Sequence, residues 1–151
     1  MPTISATTLA MALILGAGTL IAIQGPINAT LMRAVGSSVN AALISFLVGT
    51  LALIVVAMWQ RTAADGALVR ALPWWAWVGG LCGAVFVAVA AYAAPRIGVA
   101  NMLTLSVAGQ LITAIVLDHR GAFGVPQQSV SGGRIVGILL VVVGAVLVRR
   151  H

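Results

Sequence analysis

The sequence predicts an all-α, polytopic membrane protein with five transmembrane helices. Composition is the first reason: 62% of the 151 residues are hydrophobic and 7% charged, with a mean hydropathy of +1.15, whereas soluble domains carry about 25% charged residues. The second is that the apolar residues come in long unbroken runs rather than in the alternation of a barrel strand, which excludes a β-barrel. The third is that the charges, eight Arg and two Asp with no Lys or Glu, fall between the runs or at their edges.

A helix that crosses the hydrocarbon core needs about 20 residues at 1.5 Å rise. Four runs meet that length without an Asp, Glu, Lys, Arg or His: Thr7 to Met32, Asn40 to Trp59, Trp74 to Ala94 and Ile97 to Leu117. A fifth, Ile135 to Val148, has 14 residues and reaches 19 only if Val130 to Arg134 joins it and Arg134 snorkels to the interface. The expected helices are therefore 7–32, 40–59, 74–94, 97–117 and 131–148, in a single transmembrane domain over 1–151. The first run is expected to be a retained helix and not a cleaved signal, because no Lys or Arg precedes Arg33 and the run is too long.

The connections are short: Arg33 to Val39, Gln60 to Pro73, a tight turn at Pro95-Arg96, and Asp118 to Ser129 with Gly121, Gly124 and Pro126 as breakers. They leave no room for a soluble domain. Trp74, Trp75 and Trp77 open the third run and Trp59 closes the second, the places where indoles anchor at headgroup level. A cation-binding aromatic box is the sharper alternative for these rings.

Five spans put the chain ends on opposite sides. Arg61, Arg70, Arg120 and Arg134 fall on one side, and Arg33, Arg96, Arg149 and Arg150 on the other. An excess of positive loop charge normally sets insertion direction, and here there is none. The chain is expected to insert both ways, so that two opposed copies pair about an axis in the membrane plane and reproduce an inverted repeat. The competing expectation is that run lengths or a partner chain break the tie. The net charge of +6 does not indicate nucleic acid, since the Arg residues never cluster beyond a pair; anionic lipid headgroups are the expected counter-charge. Cys82 is the single cysteine, so no intrachain disulfide forms.

Polar residues inside the runs are the candidate functional positions. Gln24 and Asn28 are spaced i, i+4 on one face of the first helix, beside Gly25 and Pro26, which loosen the backbone ladder. Ser106, Gln110 and Thr113 share a face of the fourth, with Asn101 and Thr104 near its start; Asn40, Ser45 and Thr50 lie less regularly on the second. Buried amides need partners, so these residues either line a wet path or hydrogen-bond between helices at about 0.6 kcal/mol each. Interhelical bonding is the expectation for the Ser and Thr. Gln24, Asn28, Ser45, Gln110 and Trp74 are the candidate substrate-binding residues. Asp118 is a candidate coupling or gating group, or else the partner of Arg120 or Arg134, while Asp65 is read as a solvated loop residue. The pairs Gly79/Gly83, Ser45/Gly49 and Gly133/Gly137 mark close helix packing.

Enzyme templates fail. The chain has no HExxH, no ligand cluster, no phosphate-cradling glycine loop and no nucleophile-base-acid set. No catalytic residue, cofactor or metal is expected.

Several stretches are familiar as a set: Gln24-Gly25-Pro26-Ile27-Asn28-Ala29, Ala41 to Thr50, Pro73-Trp74-Trp75 leading to Gly79-Gly80-Leu81-Cys82-Gly83, Pro95 to Ala100, Gly109-Gln110-Leu111, Asp118-His119-Arg120-Gly121 and Arg134-Ile135-Val136-Gly137. Over nearly the whole chain the sequence resembles the half-size, five-helix YdcZ-type inner-membrane exporters of the drug/metabolite transporter superfamily. The resemblance implies a bacterial inner-membrane protein that forms half of a ten-helix inverted-repeat transporter, as an antiparallel homodimer or with a homologous sister chain. It also implies that Gln24, Asn28, Ser45, Gln110 and Asp118 occupy recurring polar positions.

The neighbouring small multidrug resistance exporters have four helices and a membrane-embedded Glu, from which this chain departs by having no Glu at all. An amide-lined site suits a neutral, zwitterionic or weakly cationic solute. The function expected is export of small metabolites or drug-like solutes by alternating access. A non-transporting membrane assembly subunit and a passive channel are the alternatives.

Overall fold

A computed structural model describes residues 5–150, apart from the side chains of Arg149 and Arg150; the two arginines of the charge count at that end therefore lie outside the described side chains. The described residues form helices and no strands. They fall into two compact units that divide between Arg96 and Ile97.

In the first unit, α1 spans Ala6–Val35. The hydroxyl of Ser5 caps it by accepting from the Thr8 N–H at 3.1 Å, which satisfies one of the orphan donors of a first turn. It stops at Gly36, whose φ of +72° is costly for any residue with a Cβ. Ser37 then caps α2, Ser38–Gln60, in the same way. The two helices pack along each other.

The connection that follows is more ordered than a plain loop. Asp65 caps a short helix, α3, Gly66–Arg70, its Oδ1 accepting from the Ala67 N–H at 2.8 Å. This corrects the expectation that Asp65 is merely solvated. Trp74–Trp77 form a 3-10 turn that leads into α4, Val78–Ile97. The predicted turn at Pro95-Arg96 is also corrected, because α4 runs through Pro95 and the chain breaks at Gly98. A proline near the end of a helix removes one backbone bond without forcing an end there, whereas Gly98 adopts φ +80°, ψ 153°, a conformation left essentially to glycine.

The second unit is a helical hairpin. Helix α5 spans Val99–Arg120 and α6 spans Gly132–Arg150, packed side by side with a 3-10 turn at Ala122–Gly124 in the connection.

Four stretches are long and apolar enough to cross a membrane: Ala6–Val35, Ser38–Gln60, Trp74–Ile97 and Val99–Arg120; Gly132–Val148 is a shorter apolar helix. Large apolar side chains stand exposed along these helices, as suits a lipid surround in which burying Leu gains nothing over leaving it in acyl chains. What is buried is small. In the first unit it comprises Gly25, Asn28 and Ala29 near the end of α1, Ala41 and Ala42 at the start of α2, and Val87, Ala90, Ala91 and Ala94 in the second half of α4. Small side chains let backbones approach closely, and van der Waals packing then holds the helices together.

Candidate functional site

The site is built first on α1, where Pro26 interrupts the ladder. Lacking an N–H, Pro26 leaves the Ala22 carbonyl without its helical donor, and in lipid no bulk water replaces it. A polar chain extends from that point toward the helix end: the Thr30 hydroxyl donates to the Pro26 carbonyl at 3.1 Å, and Arg33 Nη2 donates to the Thr30 hydroxyl at 2.9 Å. Gln24 is half-buried beside this break. Asn28 is 2% exposed and is the largest fully buried side chain among the described residues.

Ser45 of α2 is half-buried, one turn beyond the buried Ala41 and Ala42. Gln24, Asn28 and Ser45 therefore lie on two helices that pack along each other. Trp74 stands apart, 78% exposed in the 3-10 turn that precedes α4, away from the buried Val87 to Ala94. Between α2 and α4 lies an apolar groove of about 400 Å³, lined on one side by Leu43 and Phe46 and on the other by Ala84, Val85 and Ala88.

In the second unit Gln110 is exposed on α5. Its polar neighbours bond within their own helix. The Thr104, Ser106 and Thr113 hydroxyls donate to the carbonyls of Ala100, Leu103 and Gly109 at 2.6, 2.8 and 3.0 Å. This corrects the expectation of interhelical bonds for these residues: in lipid a hydroxyl folds back onto the nearest carbonyl, one turn behind it. Asn101 Nδ2 likewise donates to the Ile97 carbonyl at 2.8 Å, which leaves its buried Oδ1 without a partner among the described residues.

Asp118 lies in the last turn of α5 and pairs with Arg134, not Arg120: Arg134 Nη1 donates to Asp118 Oδ2 at 3.3 Å, with the two side chains 34% and 35% exposed. Arg134 Nη2 also donates to Gln128 Oε1, and the Gln128 N–H donates to the Asp118 carbonyl at 2.8 Å. Gln127 Nε2 donates to the His119 carbonyl at 2.9 Å. The pair borders a groove of about 260 Å³ whose other walls are Leu111, Ala114, Ile115, Gly137 and Ile138.

From sequence Arg134 is one of two candidate partners for Asp118, and Gln127 and Gln128 are not among the candidate residues. Two adjacent amides facing a helix end that carries both charges were the available signal. Cys82 is exposed and unbridged, and no group of three or more His, Cys, Asp or Glu gathers among the described residues.

Long apolar helices, an apolar exterior and a few amides within the apolar runs define a multi-pass membrane protein. Comparison with known proteins supplies the family. The family model described as "Putative inner membrane exporter, YdcZ" matches residues 9–147. The chain is 33% identical over 146 residues to the inner membrane protein YdcZ of Escherichia coli (strain K12), covering 95% of this chain and 97% of that one. The chain belongs to this family. No solved structure matches it.

Proposed function

We propose that the protein is a half-size solute exporter of the bacterial inner membrane, in which five helices cross the bilayer and two copies pair in opposite orientations. Family membership over residues 9–147, nearly the full chain, is the observation that carries this reading. The break at Pro26, with Gln24, Asn28 and an Ala22 carbonyl that lacks its i+4 donor, supplies donors and acceptors for a neutral, zwitterionic or weakly cationic solute. In the first unit Gln24 and Asn28 of α1 would line the path, with Ser45 of α2 as a further polar contact, and alternating access would move one half of the transporter against the other.

Screening metabolites and drug-like solutes for thermal stabilisation of the purified protein, then measuring flux of the stabilising solutes in liposomes, tests this function, since a binder raises apparent stability by mass action. Uphill flux supports the exporter. Flux that no ion gradient drives uphill supports a passive channel instead.

The burial of Asn28 favours a second reading, a non-transporting assembly subunit in which the amides only hold helices together. On that reading Gln24→Ala and Asn28→Ala lower dimer stability and no solute shows flux. The exporter reading has them abolish transport while the dimer persists.

A further inference from the structure

We propose that the Asp118–Arg134 pair is a topology-determining element: α6 crosses the bilayer because α5 supplies the carboxylate that neutralises its first-turn arginine. The inference rests on the five-span reading above. From Ile135 to Val148 the helix offers 14 uncharged residues, about 21 Å at 1.5 Å per residue, against a hydrocarbon core of about 30 Å. Crossing therefore draws Gly132, Gly133 and Arg134 into the apolar layer, and Arg134 is the third residue of α6.

A lone arginine there opposes insertion and also sits at the positive end of a helix dipole. Asp118, in the last turn of α5, sits at the negative end of its own. Each charge is misplaced on its own helix, and each is compensated by the other at 3.3 Å. Gln128 closes the arrangement by accepting from the guanidinium and donating its N–H to the Asp118 carbonyl, so that the connection itself holds the two helix ends in register. The pair borders the groove between α5 and α6 beside Leu111, Ile115 and Ile138, an apolar setting in which an ion pair is screened little. Asp118 and Arg134 thus act as one neutral unit, and the two helices enter the membrane as a hairpin.

The test reads the sidedness of both ends of α6 in the same molecule. In a Cys82→Ser background carrying Ser129→Cys and a cysteine appended after His151, intact cells are treated with an impermeant maleimide and adducts per molecule are counted by mass. If α6 crosses, every molecule carries one adduct whichever way it is oriented. If α6 does not cross, molecules carry none or two.

The expected result is predominantly one adduct for the parent. Asp118→Asn, which leaves Arg134 unpaired, should shift at least half of the molecules to none or two. Arg134→Leu and the charge swap Asp118→Arg/Arg134→Asp should return to one adduct, which separates pairing from a general loss of folding. One adduct in Asp118→Asn, or none and two in both Arg134→Leu and the swap, would overturn the inference. None and two in the parent itself would overturn the five-span reading instead.

Discussion

Phe46 of α2 lies against Gly83 of α4, so close that a Cβ placed on Gly83 would sit 3.4 Å from Phe46 Cζ. Gly83→Ala should therefore be tolerated, within about 0.5 kcal/mol, because 3.4 Å is still ordinary contact. Gly83→Leu must push the ring aside and should cost about 1–3 kcal/mol, read as a lower thermal midpoint of the purified protein. Gly79, one turn earlier, has open space around its Cβ position. Gly79→Leu should leave the midpoint of the single chain unchanged.

Asn28 and Gln24 differ in what surrounds them, and their variants should differ accordingly. Asn28→Ala removes a fully buried side chain and should lower the thermal midpoint by an amount worth about 1–3 kcal/mol. Gln24→Ala, at a half-buried position, should stay within about 0.5 kcal/mol. On the exporter reading both abolish flux, so Gln24→Ala is the cleaner test of the site: full stability with no transport is the expected outcome.

Pro26→Ala should restore the backbone bond to the Ala22 carbonyl and raise the thermal midpoint, since an interior proline costs about 3 kcal/mol. If the freed carbonyl serves the solute, the same variant should transport more slowly. A more stable but slower protein is the expected pairing, read from melting curves and liposome flux on one preparation.

Arg96 stacks over Tyr92 with its guanidinium carbon 3.5 Å from the ring centroid, and its Nη1 donates to the Tyr92 carbonyl at 2.6 Å. Both residues are exposed, so the stacking contributes about 0.5–1 kcal/mol. Tyr92→Leu should cost that much, and Tyr92→Phe almost nothing, because the ring face is kept. Paired thermal melts of the two variants check it.

Hydropathy alone reveals the long helices, because a lipid-facing surface must be apolar throughout and leaves runs that no loop mimics. Helix ends were harder to read. Pro95 looked like a turn, yet the break falls three residues later at Gly98, where backbone conformation and not the missing N–H decides. The helix at Gly66–Arg70 is too short for any periodic signal, and only the Asp65 cap announces it. Spacing puts Gln24 and Asn28 on one face, but the burial of Asn28 comes from packing between helices that no single run encodes. The choice of Arg134 over Arg120 as the partner of Asp118 is likewise tertiary, since it depends on how the α5–α6 connection folds back through Gln128.

The central claim is a transporter half that pairs with an oppositely inserted copy, and the sidedness of one connection tests it most directly. With Cys82→Ser and Ser129→Cys as the only thiol, intact cells are labelled to completion with an impermeant maleimide and the labelled fraction is weighed. Positive loop charge is balanced four against four over the five spans, so the account predicts that roughly half of the molecules are labelled. Labelling of nearly all molecules, or of nearly none, would contradict it.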